Sequence, residues 1–230
     1  MGKYDAYKKM VYDCIMDLVR DGFVQGLGGN VSMRVDGEDV VVVTPSQREY
    51  SDMTAGEICV VDFDMKPVDD TRLKPSVETG MHVSVYRNRR DVGAVVHTHQ
   101  IYASIFSLIH QPIPALFDEV ASTIGPVVEV VPYGLSGSPQ LLENVTAKLG
   151  NRGNCYILQN HGILALGADP PKAKRCAELL EKCARIYYYA LTTGKEVSLL
   201  PQDMQDLMGR IVNNKQDAEI KRREEMGAKM

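Results

Sequence analysis

Tryptophan is absent from this 230-residue chain, and phenylalanine occurs only four times. That scarcity excludes a surface built on aromatic stacking, the usual platform for single-stranded nucleic acid. Charge of one sign is also lacking, because 26 Lys and Arg face 30 Asp and Glu, a formal net charge of −4. A protein that relies on bulk positive charge to hold nucleic acid or an anionic membrane is excluded by the same count. Long apolar runs are missing as well. The longest aliphatic stretch, Val40 to Val43, is far too short to cross a bilayer. Residues 1–20 interleave apolar side chains with Lys, Asp and Arg, which is no secretory leader. No C-x-x-C pair occurs, and the five cysteines (Cys14, Cys59, Cys155, Cys176 and Cys183) are an odd number. They read as reduced thiols of a cytoplasmic protein, packed as small apolar side chains.

What is present is ordinary globular composition, 44% hydrophobic and 24% charged. A chain of this length buries a sizeable core without staples. One α/β domain is expected over residues 1–214. A tail follows at 215–230, with nine charged side chains in sixteen residues, read as a frayed helix or a solvated segment.

Periodicity supplies the elements. Tyr7, Met10, Val11, Cys14, Ile15 and Leu18 recur every three or four residues, which predicts a helix over 4–20. Val31–Val35 and Val40–Val43 read as strands around the turn signal Asp36-Gly37, and Ile58–Phe63 as a third strand. Pro75-Ser76 is expected to open a helix reaching Arg89, with Ser76 as its N-cap. Further strands are expected at 91–96, Val127–Val131, Cys155–Leu158 and Gly162–Leu166, with helices at 101–109 and from Ser138-Pro139 to Leu149. Pro170-Pro171 opens what reads as the longest helix.

Chemistry enters with His97-Thr98-His99, directly after a Val-rich strand. Residues two apart in extended backbone point to one face, so both imidazoles can grip one ion. His161 follows another apolar strand, between Asn160 and Gly162, where glycine permits a sharp turn and a close approach. Three histidines with one coordination position open describe a catalytic zinc site rather than a structural one. His82 and His110 have no partner at metal spacing and read as structural. Glu78 reads equally as a first-turn helix acid or as an acid/base beside the ion. The run Gly26-Leu27-Gly28-Gly29-Asn30 exposes backbone N–H groups suited to an anion, but it lacks the G-x-G-x-x-G spacing of a dinucleotide fingerprint.

In order, the blocks Gly28-Gly29-Asn30-Val31-Ser32, Val43-Thr44-Pro45-Ser46, Pro75-Ser76-Val77-Glu78, His82, Val95-Val96-His97-Thr98-His99, Val131-Pro132-Tyr133-Gly134 and Asn160-His161-Gly162 resemble the class II aldolase/adducin family over about residues 5–195. The resemblance implies one α/β/α domain around a largely antiparallel sheet, assembled as a homotetramer. It implies Zn2+, or another divalent ion such as Mn2+ or Co2+, on His97, His99 and His161. Glu78 falls where the family keeps its acid/base, and Asn30, Ser46 and Ser76 fall at substrate contacts. The implied reaction is aldolase-type carbon–carbon cleavage of a small ketose phosphate, such as L-fuculose 1-phosphate, or a related hydroxy-ketone, through an enediolate that the ion stabilises. Epimerase, dehydratase and decarboxylase chemistries use the same centre. An adducin-like interaction module would lack these histidines.

Three positions depart from the phosphate-holding pattern of the family: Leu27, Gln47 and Val77. Arg48 is positioned to restore a positive charge there. Where the family supplies a tyrosine from a neighbouring subunit, this chain has Leu116-Phe117-Asp118-Glu119, which makes Asp118 the candidate acid for the aldehyde oxygen. Tyr187, Tyr188 and Tyr189 read as packing and subunit contact.

Overall fold

Strand periodicity of two decides the centre of the molecule. The computed structural model describes residues 2–227. Its strands are β1 (Asn30–Arg34), β2 (Val40–Val43), β3 (Cys59–Asp62), β4 (Ala94–Thr98), β5 (Ile113–Pro114), β6 (Val127–Val131), β7 (Cys155–Leu158) and β8 (Gly162–Gly167). They form one sheet in the order β3-β2-β1-β4-β8-β7-β6-β5. Every neighbouring pair is antiparallel except β6 with β7. This is the α/β fold with a largely antiparallel sheet that the sequence led us to expect.

Helices cover both faces. On one side pack α1 (Asp5–Arg20), α3 (Ile101–Ile109) and α6 (Pro170–Thr192); on the other pack α2 (Thr79–Asn88) and α5 (Pro139–Lys148). Successive strand residues feed the two cores in turn. Val40, Val42 and Val96 join the α1/α3/α6 core, while Val41, Val43 and Val95 join the α2/α5 core. Burial of each such side chain stabilises the fold by roughly 1.5–3 kcal/mol. His97, two residues after Val95, therefore faces α2.

The helix starts follow the capping rules. Ser138 Oγ accepts from the Leu141 N–H at 3.3 Å ahead of Pro139, and Asp169 accepts from the Lys172 N–H at 2.9 Å ahead of Pro170. The α2 start differs from expectation. Ser76 is not its N-cap: the helix begins at Thr79, with Glu78 in the capping position. Pro45 and Pro75 pair as an isolated bridge, and the Ser76 N–H donates to the Thr44 carbonyl at 3.1 Å. That pairing keeps residues 75–76 extended and delays the helix, so Glu78 stands free of the first turn.

The C-terminal region is a second correction. Residues 202–227 form one continuous helix, α7 (Gln202–Gly227), which is longer than α6 at 26 against 23 residues. Residues 215–227, expected as a frayed helix or a solvated segment, are its second half, mostly exposed and tied to the domain at a few positions; residues 228–230 lie outside the described part. Arg223 pairs with Asp36 and donates to the Ala168 carbonyl at 2.7 Å. Gln216 is buried and donates to the Arg152 carbonyl at 2.8 Å. A helix without a broad apolar stripe escapes periodicity analysis, because polar contacts hold it. The short β5 and α4 (Asp118–Ile124) were likewise not expected.

Candidate active site

Each group at the site is fixed by a different device. His97 lies within β4, held on both sides by ladder pairing: opposite Asn30 on β1 and opposite Leu164 on β8. Its ring is fully buried, and Nδ1 lies 2.8 Å from the Ile163 carbonyl. A carbonyl can only accept, so Nδ1 carries the hydrogen and Nε2 presents a lone pair. His99 follows the strand end, in the connection to α3, and its Nε2 stands 2.9 Å from His97 Nε2. His161 closes the tight turn between β7 and β8, donating its N–H to the Leu158 carbonyl at 3.1 Å. Asn160, just before it, adopts φ 55°, a left-handed conformation that asparagine tolerates. Gly162 is required here by contact. A Cβ there would lie 2.4 Å from the Thr98 oxygen and 2.7 Å from the His99 ring.

The three histidines each offer one nitrogen, all within 4.8 Å of one another. Glu78 closes the group. Its Oε2 lies 3.2 Å from His97 Nε2, and its Oε1 lies 3.2 Å from His161 Nε2. Asn30 Nδ2 donates to Oε2 at 2.9 Å, and Ser136 Oγ donates to Oε1 at 2.8 Å. The carboxylate is thus gripped from both sides.

Electrostatics suit a cation. Burial pulls the His97 imidazole down to about 4, against the pull of the Glu78 charge, so the ring is neutral near pH 7. Burial lowers His99 in the same direction. Burial opposes the Glu78 charge, yet the positive charge that His97 and His161 carry when protonated, with hydrogen bonds from His161 and the Ser136 hydroxyl, outweighs it and holds the carboxyl below its usual range. Asn30 Oδ1 is buried with no hydrogen-bond partner. Imidazole nitrogens converging beside a carboxylate and an orphaned amide oxygen fit a divalent ion.

The remaining sequence candidates are placed as follows. Ser76 Oγ accepts from the Glu78 N–H at 3.3 Å. Ser46 lies in the turn beside it, its N–H donating to the Lys74 carbonyl at 2.8 Å, and has no contact with Glu78. Asp118 is exposed at the start of α4, outside the histidine cluster of its own chain. Arg48 is engaged elsewhere, with Glu57 at 2.9 Å and the Asp52 carbonyl at 2.7 Å. His82 is fully buried, its Nδ1 2.7 Å from Ser32 Oγ, and His110 closes α3 at φ 53°. Two site residues escaped sequence reasoning. Ser136 comes from the β6–α5 loop, where serine carries no signal of its own. Tyr50 donates to the Gly29 carbonyl at 2.8 Å and steadies the glycine turn beside Asn30.

Against known proteins, residues 9–188 match the Class II Aldolase and Adducin N-terminal domain family. The chain belongs to that family. It is 33% identical over 186 residues to the 5-deoxy-D-ribulose 1-phosphate aldolase of Bacillus thuringiensis serovar kurstaki, covering 81% of this chain and 85% of the relative. It is 32% identical over 195 residues to the L-fuculose phosphate aldolase of Escherichia coli O6:H1, covering 85% and 88%. A solved L-fuculose 1-phosphate aldolase superposes with a TM-score of 0.83 at 29% identity, covering 91% of this chain and 97% of that one. With these relatives and the histidine cluster present, this class II aldolase family member is an aldolase-type lyase. No described helix is long and apolar enough to cross a membrane.

Proposed function

We propose that the protein is a zinc-dependent aldolase that cleaves a small ketose phosphate such as L-fuculose 1-phosphate, acting as a homotetramer in the cytoplasm. The observation that carries the reading is the Glu78 carboxylate lying 3.2 Å from both His97 Nε2 and His161 Nε2, inside a three-imidazole cluster. A divalent ion held by His97, His99 and His161 would supply a Lewis acid for the carbonyl and neighbouring hydroxyl oxygens of the ketose.

The chain's own residues do the rest. Glu78 carries the proton to and from the carbon beside the carbonyl, since it is buried, ionised and the carboxylate nearest the cluster. Asn30 and Ser136 hold its two oxygens apart, one each, so that the carboxylate keeps its orientation as substrate enters. The unpartnered Asn30 Oδ1 is available to a substrate hydroxyl. Ser76 and Ser46 are the further substrate contacts of this reading. Asp118 is the acid for the aldehyde oxygen, and it would reach the centre only from a neighbouring copy. Glu119 beside it is already committed to Arg175 at 2.8 Å.

One observation favours a second reading, an unphosphorylated or carboxylate substrate handled by epimerase, dehydratase or decarboxylase chemistry. Leu27 and Val77 are exposed apolar side chains next to Gly28 and Glu78, and Arg48 is turned away to Glu57. Exchange of the methylene proton of dihydroxyacetone phosphate in heavy water separates the two. Metal-dependent exchange, abolished in His97→Ala together with metal content, supports the ketose-phosphate aldolase. A zinc-loaded protein that exchanges no proton rejects it and leaves the second reading.

A further inference from the structure

We infer that Glu181, on α6 and remote in sequence from every residue of the cluster, is the positioning residue for His99. The inference rests on the reading of the three histidines as metal ligands. His99 is the one member of the cluster that is exposed, and no strand ladder holds it. His97 has two neighbouring strands and a carbonyl for its Nδ1, and His161 sits in a closed turn. The backbone of His99 is set by the chain on either side of it, while its ring packs beside Gly28 and Gly162.

That chain is clamped by α6. Helix α3 starts two residues after His99, and the first N–H groups of a helix have no partner within it. Both carboxylate oxygens of Glu181 are spent on them: Oε1 accepts from the Tyr102 N–H and Oε2 from the Ala103 N–H, each at 2.9 Å. An ionised carboxylate on two backbone donors at a helix N-terminus is a strong, directional contact. Gln100 adds a second tie to the same helix. Its amide donates to the Ala177 carbonyl at 3.1 Å, and its oxygen accepts from Thr98 Oγ1 at 2.8 Å. One turn of α6 therefore holds the residues immediately after His99, while β4 holds those before it.

Outer partners of metal ligands typically govern affinity by about 10- to 100-fold. The test titrates the metal-free protein with Co2+ alone, reading the visible absorption of the bound ion and its affinity in competition with a chelator. Glu181→Ala is expected to weaken Co2+ by roughly 10-fold or more and to move the spectrum toward that of His99→Ala. Glu181→Gln, which keeps one accepting oxygen, is expected to fall between. A merely structural role lowers the thermal midpoint and leaves spectrum and affinity alone. That outcome in Glu181→Ala, or in Glu181→Gln where the alanine variant does not fold, overturns the proposal. Parent protein that binds no Co2+ overturns the metal reading, and the positioning role with it.

Discussion

The two ends of β4 carry the same kind of material, a buried carboxylate among cationic or potentially cationic groups, and treat it in opposite ways. Before the strand starts, Asp91 meets Arg89 in a bidentate pair at 2.8 and 2.7 Å, and Arg89 spends its remaining donors on the Gly153 carbonyl and Asn154. Gly93 donates to the Gly167 carbonyl at 2.8 Å, and Arg223 covers Ala168 next to it. Asp91 there has its counter-charge in Arg89. Where the strand ends, Glu78 faces the imidazoles of His97 and His161 and the amide and hydroxyl donors of Asn30 and Ser136, and Asn30 Oδ1 has no partner among the described residues. The buried acid of one end is paired within the chain; that of the other faces the three histidines. Stability and chemistry are thus divided between the two ends of a single five-residue strand.

The comparison breaks most sharply at Glu78. Glu78→Gln should cut proton exchange by about 10²- to 10⁴-fold, with metal content retained. Isotope exchange and metal analysis on one preparation check both halves. A fall in midpoint alongside the lost activity would show that the charge supports the fold as well.

The opposite end should answer inversely. Arg89→Ala strands a buried Asp91 and is expected to cost roughly 3–5 kcal/mol of unfolding free energy, measured by urea denaturation, with Co2+ affinity unchanged. Loss of metal at full folding would erase the division.

A smaller effect sharpens the picture at His82, which hangs beneath the site on Ser32. Burial pulls its imidazole down to about 3. Between its unfolded value near 6.5 and about 3, the unfolded chain takes up a proton that the folded chain refuses. Stability of the metal-free protein should therefore fall as pH drops through that window. This one group contributes a slope of up to about 1.4 kcal/mol per pH unit. His82→Gln should remove that share of the slope, read from denaturation midpoints at several pH values.

The smallest expected effect is at Gln47, which adopts φ 55°. Left-handed backbone costs a non-glycine residue about 1–2 kcal/mol, and glycine loses about 0.5–1 kcal/mol of that gain through its freer unfolded chain. Gln47→Gly should raise stability by about 0.5 kcal/mol in the same denaturation assay.

The legible parts of this molecule were those written in local pattern. The Val-rich strands, the Ser138-Pro139 and Pro170-Pro171 helix starts and the H-x-H at the end of β4 each declare themselves within a few residues. The three histidines could be read from such stretches, whereas the largely antiparallel sheet was implied by the family resemblance. Glu78 was ambiguous because its freedom from the helix depends on Pro45 pairing with Pro75, a contact between distant segments. Ser136 and Tyr50 were invisible because a serine or tyrosine in a loop acquires meaning only from what the fold puts beside it. Helix α7 was missed for a related reason, since it is held by Arg223, Gln216 and Asp217 rather than by an apolar stripe.

The cluster also fixes when, along the life of the chain, an ion can first be held. Glu78 meets Asn30 across 48 positions and Ser136 across 58, and His97 meets Ile163 across 66. A nascent chain that has not yet delivered residue 161 has two imidazoles and no turn to present the third. An ion taken by this cluster would accordingly be acquired by the finished sheet, after β8 has closed on β4, and tight metal capture during refolding would time-stamp that closure.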